Sequence, residues 1–244
     1  MVVETRPKPS LSSFADQTIA KRLAKVGPIV SAFQQHATSA LGRPALLLDM
    51  GTGSGIIGHA VAEELGAQCI ELDVSEQRSF KESYFVISSC ETLPFRSESF
   101  DYVICNHVIE HVRDQEQLLM EVKRVLKPGG LCYLATPSKY ALLEPHYKLP
   151  FLSWLPVKLA DNMVRLTRRG KSYDIQPVTR TSVHRLANLA GLGATDLTLD
   201  LIATPRRYRR LGLLAQLGGM VPLSLTRKVL PVAPSHVWLL QASS

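Results

Sequence analysis

Asp49 closes a short apolar run, Ala45 to Asp49, and glycine then returns at alternate positions, Gly51, Gly53 and Gly55, ahead of a helically spaced segment from Ile56 to Leu65. Glycines accept positive φ and let a ligand approach the backbone, and the helix behind them presents unpaired N–H groups, so such a loop can bind any nucleotide. The stretch Gly53-Ser-Gly-Ile-Ile-Gly58 also satisfies the dinucleotide fingerprint, which keeps a nicotinamide-dependent dehydrogenase among the readings. Asp73, in the next apolar run (Cys69 to Val74), is placed to accept hydrogen bonds from both hydroxyls of a ribose, because neighbouring strand ends line one edge of a sheet. His107, His111 and His146 are the candidate general bases, histidine being the usual choice near neutral pH. Glu110 and His111 are adjacent, about 100° apart on a helix, and His107 is four residues before His111 and shares a helical face with it. A divalent site built that way is the weaker reading, and no metal is assigned.

The elements that must carry these residues alternate. Ala45 to Asp49, Cys69 to Val74, Tyr84 to Ser88, Phe100 to Cys105 and Leu131 to Thr136 read as five strands. Asp114 opens a helix with Gln117 at capping-box spacing, and Lys127-Pro-Gly-Gly130 closes it. Only about ten residues separate the second and third strands, near the lower limit for a parallel crossover, so no full helix is expected there. Continuous apolar strands alternating with helices predict an α/β fold: a Rossmann-like, doubly wound, mostly parallel sheet. Leu11 to Leu41 has amphipathic spacing for one or two N-terminal helices, interrupted near Gly27-Pro28. Residues 137–180 and 204–233 break the rhythm and read as two insertions; Glu144 to Pro156 is too irregular for a regular element. Thr181 to Ala190 resumes the scaffold as a helix, Ala194 to Ala203 as a sixth strand and His236 to Gln241 as a last one.

With 45% hydrophobic and 20% charged residues, 244 residues can bury one sizeable core, so residues 1–244 are expected to form a single domain. Cys69, Cys90, Cys105 and Cys132 stand far apart inside apolar runs, as reduced core thiols of a cytoplasmic protein would. No signal-like stretch occupies Met1 to Ser10 and no window of 18 apolar residues occurs, which disfavours secretion and membrane spanning. Residues 1–145 carry 14 Lys and Arg against 17 Asp and Glu, whereas residues 146–244 carry 14 against four. The basic excess therefore sits in the second part and suits an anionic partner or a solvated surface.

The blocks Leu46-Leu-Leu-Asp-Met-Gly-Thr-Gly-Ser-Gly55, Ser88-Ser-Cys-Glu-Thr-Leu-Pro-Phe95, Ser99-Phe-Asp-Tyr-Val-Ile-Cys-Asn-His-Val-Ile-Glu-His111 and Val125-Leu-Lys-Pro-Gly-Gly130 decide between cofactors. In this order and spacing they resemble the class I S-adenosylmethionine-dependent methyltransferases, of the type 11 branch similar to ubiquinone and menaquinone biosynthesis enzymes, over about residues 45–136. The resemblance implies a seven-stranded sheet with an antiparallel last strand and S-adenosylmethionine as cofactor. It places the methionine end over Gly51, Thr52, Gly53 and Gly55 with Asp49 near its amino group, the ribose on Asp73, the adenine between Cys90 and Glu91, and Asn106 and His107 beside the transferable methyl. Ser89 stands where an aspartate commonly meets the adenine amine.

Fourth-strand Asn106-His107 lacks the Pro-Pro-aromatic continuation of amino-directed enzymes, and no aromatics interleave the arginine cluster, so nucleic acid is disfavoured as a partner. Both insertions follow strands whose carboxyl ends face the cofactor and are expected to form an acceptor cap. They bring Tyr140, His146, Tyr147, Phe151, Trp154 and Tyr208 as an apolar wall, and Arg206 to Arg210 to meet an anionic group. The expected reaction is methyl transfer to oxygen or carbon of a small, hydrophobic or lipid-linked acceptor. Leu211 to Leu225 also suits peripheral contact with an anionic membrane. The rival reading is a cofactor-binding protein without turnover, associated with a membrane or an assembly partner.

Overall fold

The computed structural model describes residues 18–37, 43–79, 83–209 and 219–243. Seven strands form one sheet: β1 (Leu46–Met50), β2 (Gln68–Asp73), β3 (Tyr84–Ile87), β4 (Phe100–Asn106), β5 (Leu126–Pro137), β6 (Leu192–Asp196) and β7 (Ser235–Ala242), in the order β3-β2-β1-β4-β5-β7-β6. The first five run parallel, and β7 is antiparallel to both β5 and β6. The expected mostly parallel sheet with an antiparallel last strand is what the chain forms.

Both faces are covered, which is why β1 and β4 are nearly all apolar. Helix α1 (Val26–His36) and helix α2 (Ile56–Leu65) pack Ile29, Phe33, Ile57 and Val61 on one face. Helices α3 (Gln115–Val125) and α5 (Arg180–Leu189) pack Leu118, Val122, Val183 and Leu186 on the other. Each such side chain, removed from water, stabilises the fold by about 1.5–3 kcal/mol. At the amino ends of the strands Asp101 gathers Arg43 at 2.7 Å, Lys127 at 3.0 Å and the Leu46 amide at 2.9 Å, tying β1, β4 and β5 together.

Helix boundaries differ from the sequence expectation where local capping decides them. The break before α1 falls at Ala24-Lys25, three residues earlier than expected, and Pro28 sits in the first turn, where a missing N–H costs nothing. Asp114 caps α3 as expected by accepting from the Gln117 amide, but the Gln117 side chain turns away to the Glu91 carbonyl. The sixth strand stops at Asp196. Its carboxylate accepts from the Thr198 amide at 2.9 Å, and Thr198–Ala203 continues as helix α6 with Leu197 and Leu201 buried one turn apart. Among the described residues between β2 and β3 no helix forms, as the short spacing implied.

The first insertion builds a small core of its own from Leu149, Leu152, Ala160, Val164, Tyr173 and Ile175. It holds a 3-10 turn, Leu152–Trp154, and helix α4 (Val157–Leu166), which the proline-rich neighbourhood hid; Ala160 and Val164, four apart, were its signal. The second insertion ends in helix α7 (Leu223–Val229) and a 3-10 turn, Leu230–Val232. Arg210, most of the apolar stretch that follows it and the first part of the N-terminal helical segment lie outside the described residues. No helix among the described residues is long and apolar enough to cross a membrane. All four cysteines are buried and free.

Candidate active site

Strands β1 and β4 are neighbours in the sheet but not in the chain, and their carboxyl ends open a crevice at this switch of strand order. Gly51, Gly53 and Gly55 all adopt positive φ there, at 64°, 55° and 79°. A Cβ on Gly51 would stand 2.6 Å from Val108, whereas at Gly53 the nearest atom is 3.7 Å away, so the second glycine faces open space. Asp73 holds the loop by accepting from the Gly53 amide at 2.9 Å. Beneath it Glu71, fully buried, pairs with Arg78 at 3.0 Å.

Two cavities meet at Gly51 and His107. The larger, about 720 Å³, is lined by Thr18, Lys21, Arg22, Lys25, Asp49, Thr52, Gly53, Ile57, Asn106, Pro145, His146, Pro234 and Ser235 in addition to that pair. The smaller, about 390 Å³, is lined by Asp73, Val74, Ser89, Cys90, Glu91, Val108, His111, Val112 and Arg113. The volumes are those of small-molecule sites. Asp49 lies on the floor of the larger cavity and accepts from the Thr52 hydroxyl at 2.7 Å. Burial pushes its carboxyl up to about 7; the Thr52 and Gly58 bonds pull it back, while Glu71 and Asp73 push further up. In the smaller cavity Cys90 is buried, and Glu91 is tied to the Asp114 amide at 2.7 Å. Ser89 is occupied locally, its hydroxyl accepting from the Glu91 amide.

The three candidate histidines converge. His107 leaves β4 with φ at 60°, rare for a non-glycine residue, and its amide continues the ladder to the Ala135 carbonyl. Its Nδ1 is 3.2 Å from Glu110 Oε1, and His146 Nε2 is 3.7 Å from the same oxygen. The fully buried Glu110 is steadied by the Thr136 hydroxyl on its other oxygen at 3.1 Å. His146 Nδ1 is bound to the buried Glu144 at 2.9 Å. That bond, above all, raises the His146 pKa over its ordinary value against the effect of burial. The His111 ring is 5.4 Å from that of His146 but opens on the smaller cavity. Residues 107–114 are a turn rather than a helix, so His107 and His111 do not share a helical face as expected. Among the described residues the set that could hold a divalent ion is instead His107, Glu110 and His146, ligand atoms within 4.8 Å of one another.

The cap differs from expectation in what it turns inward. Of the aromatic wall only His146 lines the larger cavity. Tyr208 is fully buried, Tyr147 is bonded to Asp174, and Tyr140, Phe151 and Trp154 pack edge-to-face with about half of each exposed outside. Nor do the described arginines reach the cavity: Arg207 is paired with Gln35, Arg209 with Glu64, and Arg206 lines a separate hollow beside Met220.

Residues 48–134 match the methyltransferase domain family. Over that segment the chain is similar to the S-adenosylmethionine-dependent methyltransferases. Among curated relatives, a malonyl-[acyl-carrier protein] O-methyltransferase of Methylococcus capsulatus is 27% identical over 91% of this chain and 83% of its own length. A ubiquinone biosynthesis O-methyltransferase of Parvibaculum lavamentivorans is 31% identical over 45% of this chain and 48% of its own. The chain spans about half the length, or less, of the curated relatives it matches first. Among solved structures, the plantazolicin methyltransferase BpumL in complex with S-adenosylhomocysteine shares the fold, with TM-score 0.57 at 17% identity, over 95% of this chain and 88% of that chain.

The sequence reasoning missed Lys21, Arg22 and Lys25, which line the larger cavity from the helical residues before α1 and from the break that separates the two. Part of their signal was available: Lys21 and Lys25, at i and i+4, fall on one side of the helix expected there. It also missed the buried carboxylate of Glu144 and named Glu110 only for a metal with His107 and His111, because the contact of both with His146 depends on an insertion folding back over β4.

Proposed function

We propose that this chain transfers a methyl group from S-adenosylmethionine to oxygen or carbon of a small, hydrophobic or lipid-linked acceptor. What carries the reading is the pair of joined cavities at the carboxyl edge of β1, β2 and β4, within the segment that matches the family. Gly51, Thr52, Gly53 and Asn106 hold the methionine end, with Gly55 shaping the turn and Asp49 offering its carboxylate to the ammonium. Asp73 takes the ribose, and Cys90 and Glu91 frame the adenine. The cofactor supplies a methyl activated on a sulfonium, so no covalent enzyme intermediate is needed.

The protein's own work is alignment, exclusion of water and removal of a proton. With Nδ1 donating to Glu144, His146 keeps Nε2 as an acceptor facing the cavity, and Glu110 and Glu144 together stabilise the imidazolium once the acceptor's proton has arrived. His107 forms the wall between cofactor and acceptor. His111 supports His146 from the adenosine side rather than serving as the base. The two insertions act as the cap. The exposed Leu142, Phe151, Trp154, Leu159 and Leu166, with Lys148, Lys158 and Arg165 beside them, favour peripheral contact with an anionic membrane through the first insertion.

Profiling metabolites with isotopically labelled methyl donor, followed by assay of the labelled acceptor, tests the reading. Acceptor-dependent formation of S-adenosylhomocysteine is expected; binding of the cofactor without any such turnover would leave only the cofactor-binding role.

A further inference from the structure

The larger cavity has one strongly charged side. Lys21, Arg22 and Lys25 all line it, and among the described residues none of them has an ion-pair partner. Lys25 is half-buried: burial lowers its pKa, Arg22 lowers it further, and Glu110 pulls it up. Three clustered cations with no anion between them repel one another, and a sulfonium in the same cavity would add a fourth positive charge. Arg22 already has a place, since its Nη1 lies 3.7 Å from where a Gly53 Cβ would stand, at the open glycine of the loop. Lys21 and Lys25, four residues apart, line the same cavity as Pro145, His146 and Pro234, and Lys25 feels the charge of Glu110, the carboxylate beside His146.

We infer that Lys21 and Lys25 bind an anionic group of the acceptor, a carboxylate or a phosphate, and so select a negatively charged substrate. The inference rests on the methyltransferase reading and names its substrate class. It moves the anion site from the arginine cluster, whose described members are engaged with Gln35 and Glu64 or turned to another hollow, to the N-terminal helical segment. A neutralised acceptor pocket also favours the chemistry, because an anion next to the sulfonium is desolvated on both sides as the cap excludes water.

Calorimetry on protein saturated with S-adenosylhomocysteine tests this, with octanoate, octyl phosphate and octanol as probes. One or both anions are expected to bind at least about tenfold more tightly than octanol. The one that does identifies the headgroup. The Lys21→Met/Lys25→Met variant should lose that preference while keeping its affinity for S-adenosylhomocysteine. Octanol binding as tightly as the anions would overturn the inference, as would a preference that survives in the variant. A fall in S-adenosylhomocysteine affinity in the variant would also overturn it, by showing that these lysines serve the cofactor. Failure of the wild type to bind S-adenosylhomocysteine at all would instead refute the underlying methyltransferase reading, and is seen before any probe is added.

Discussion

The carboxylate of Glu144 lies 2.9 Å from Nδ1 of His146, and that bond decides which ring nitrogen is left to the cavity. Glu144 is buried and held below the usual carboxylate range: burial pushes it up, but the His146 ring and the amides of Tyr147 and His146 outweigh that. A residue of the cap thus fixes the tautomer of the proposed base, and the remaining nitrogen points to Glu110 and to whatever occupies the cavity.

The pH profile follows from this pair. His146 must be neutral to act, and its pKa is raised above about 6.5, so kcat/KM should rise with pH through a value above that. Glu144→Gln should move this acidic limb to lower pH. His146→Gln should lower kcat by roughly 10²–10⁴-fold without altering cofactor affinity. The stability contribution runs the other way. A raised folded-state pKa stabilises fully below the unfolded value and fades as pH rises through the folded one. Glu144→Gln should therefore cost more in urea denaturation at pH 6 than at pH 9.

Asp73 serves both the loop and the proposed ribose. Asp73→Ala should weaken S-adenosylhomocysteine binding by about 1.5–3 kcal/mol, roughly ten- to a hundredfold, in a variant that remains folded. Unchanged affinity in calorimetry would remove the ribose assignment.

Gly58 is where α2 meets β1. A Cβ there would stand 2.5 Å from Asp49 Oδ2 and 2.7 Å from Asp49 Cβ. Gly58→Ala should destabilise the chain by about 1–3 kcal/mol, read as a lower denaturation midpoint, because helix and strand must separate to admit one methyl.

Asp101 contributes acid-sensitive stability. Burial pushes its carboxyl up, but Arg43, the Leu46 amide and Lys127 together hold it below its ordinary value. A lowered folded-state pKa stabilises above the unfolded value and is lost as pH falls through the folded one. Asp101→Asn should cost about 2–3 kcal/mol at pH 7, and wild type and variant should converge in acid.

The proposed membrane contact of the first insertion is testable. In flotation with acidic vesicles, Phe151→Ser/Trp154→Ser/Leu159→Ser should lower recovery, while Arg207→Ala/Arg209→Ala should not. Equal recovery of the first variant and the wild type would count against this surface.

The scaffold was legible because its signals are local. Apolar runs ending in Asp49, Asp73 and Asn106, the alternate glycines and the Asp114 cap each act within a few residues, and together they placed the sheet and its open edge. The cap was not legible. Whether Tyr140 or Trp154 faces a cavity or the solvent depends on how an insertion packs on itself, and the small core around Leu152 and Val164 turned both outward. The arginine cluster misled for the same reason, since Gln35 and Glu64, more than 140 residues away in sequence, claimed Arg207 and Arg209. His146 was named from chemistry alone, and its two carboxylate neighbours emerged only when residues 144–146 folded against the end of β4.

The central claim is that the cavities joined at Gly51 and His107 hold S-adenosylmethionine. Calorimetric titration with S-adenosylhomocysteine and, separately, with NADH tests it most directly. Saturable one-to-one binding of S-adenosylhomocysteine, weakened in Asp73→Ala and tighter than any binding of NADH, is the result this account predicts. No binding of S-adenosylhomocysteine by folded protein, or tighter binding of NADH, would contradict it.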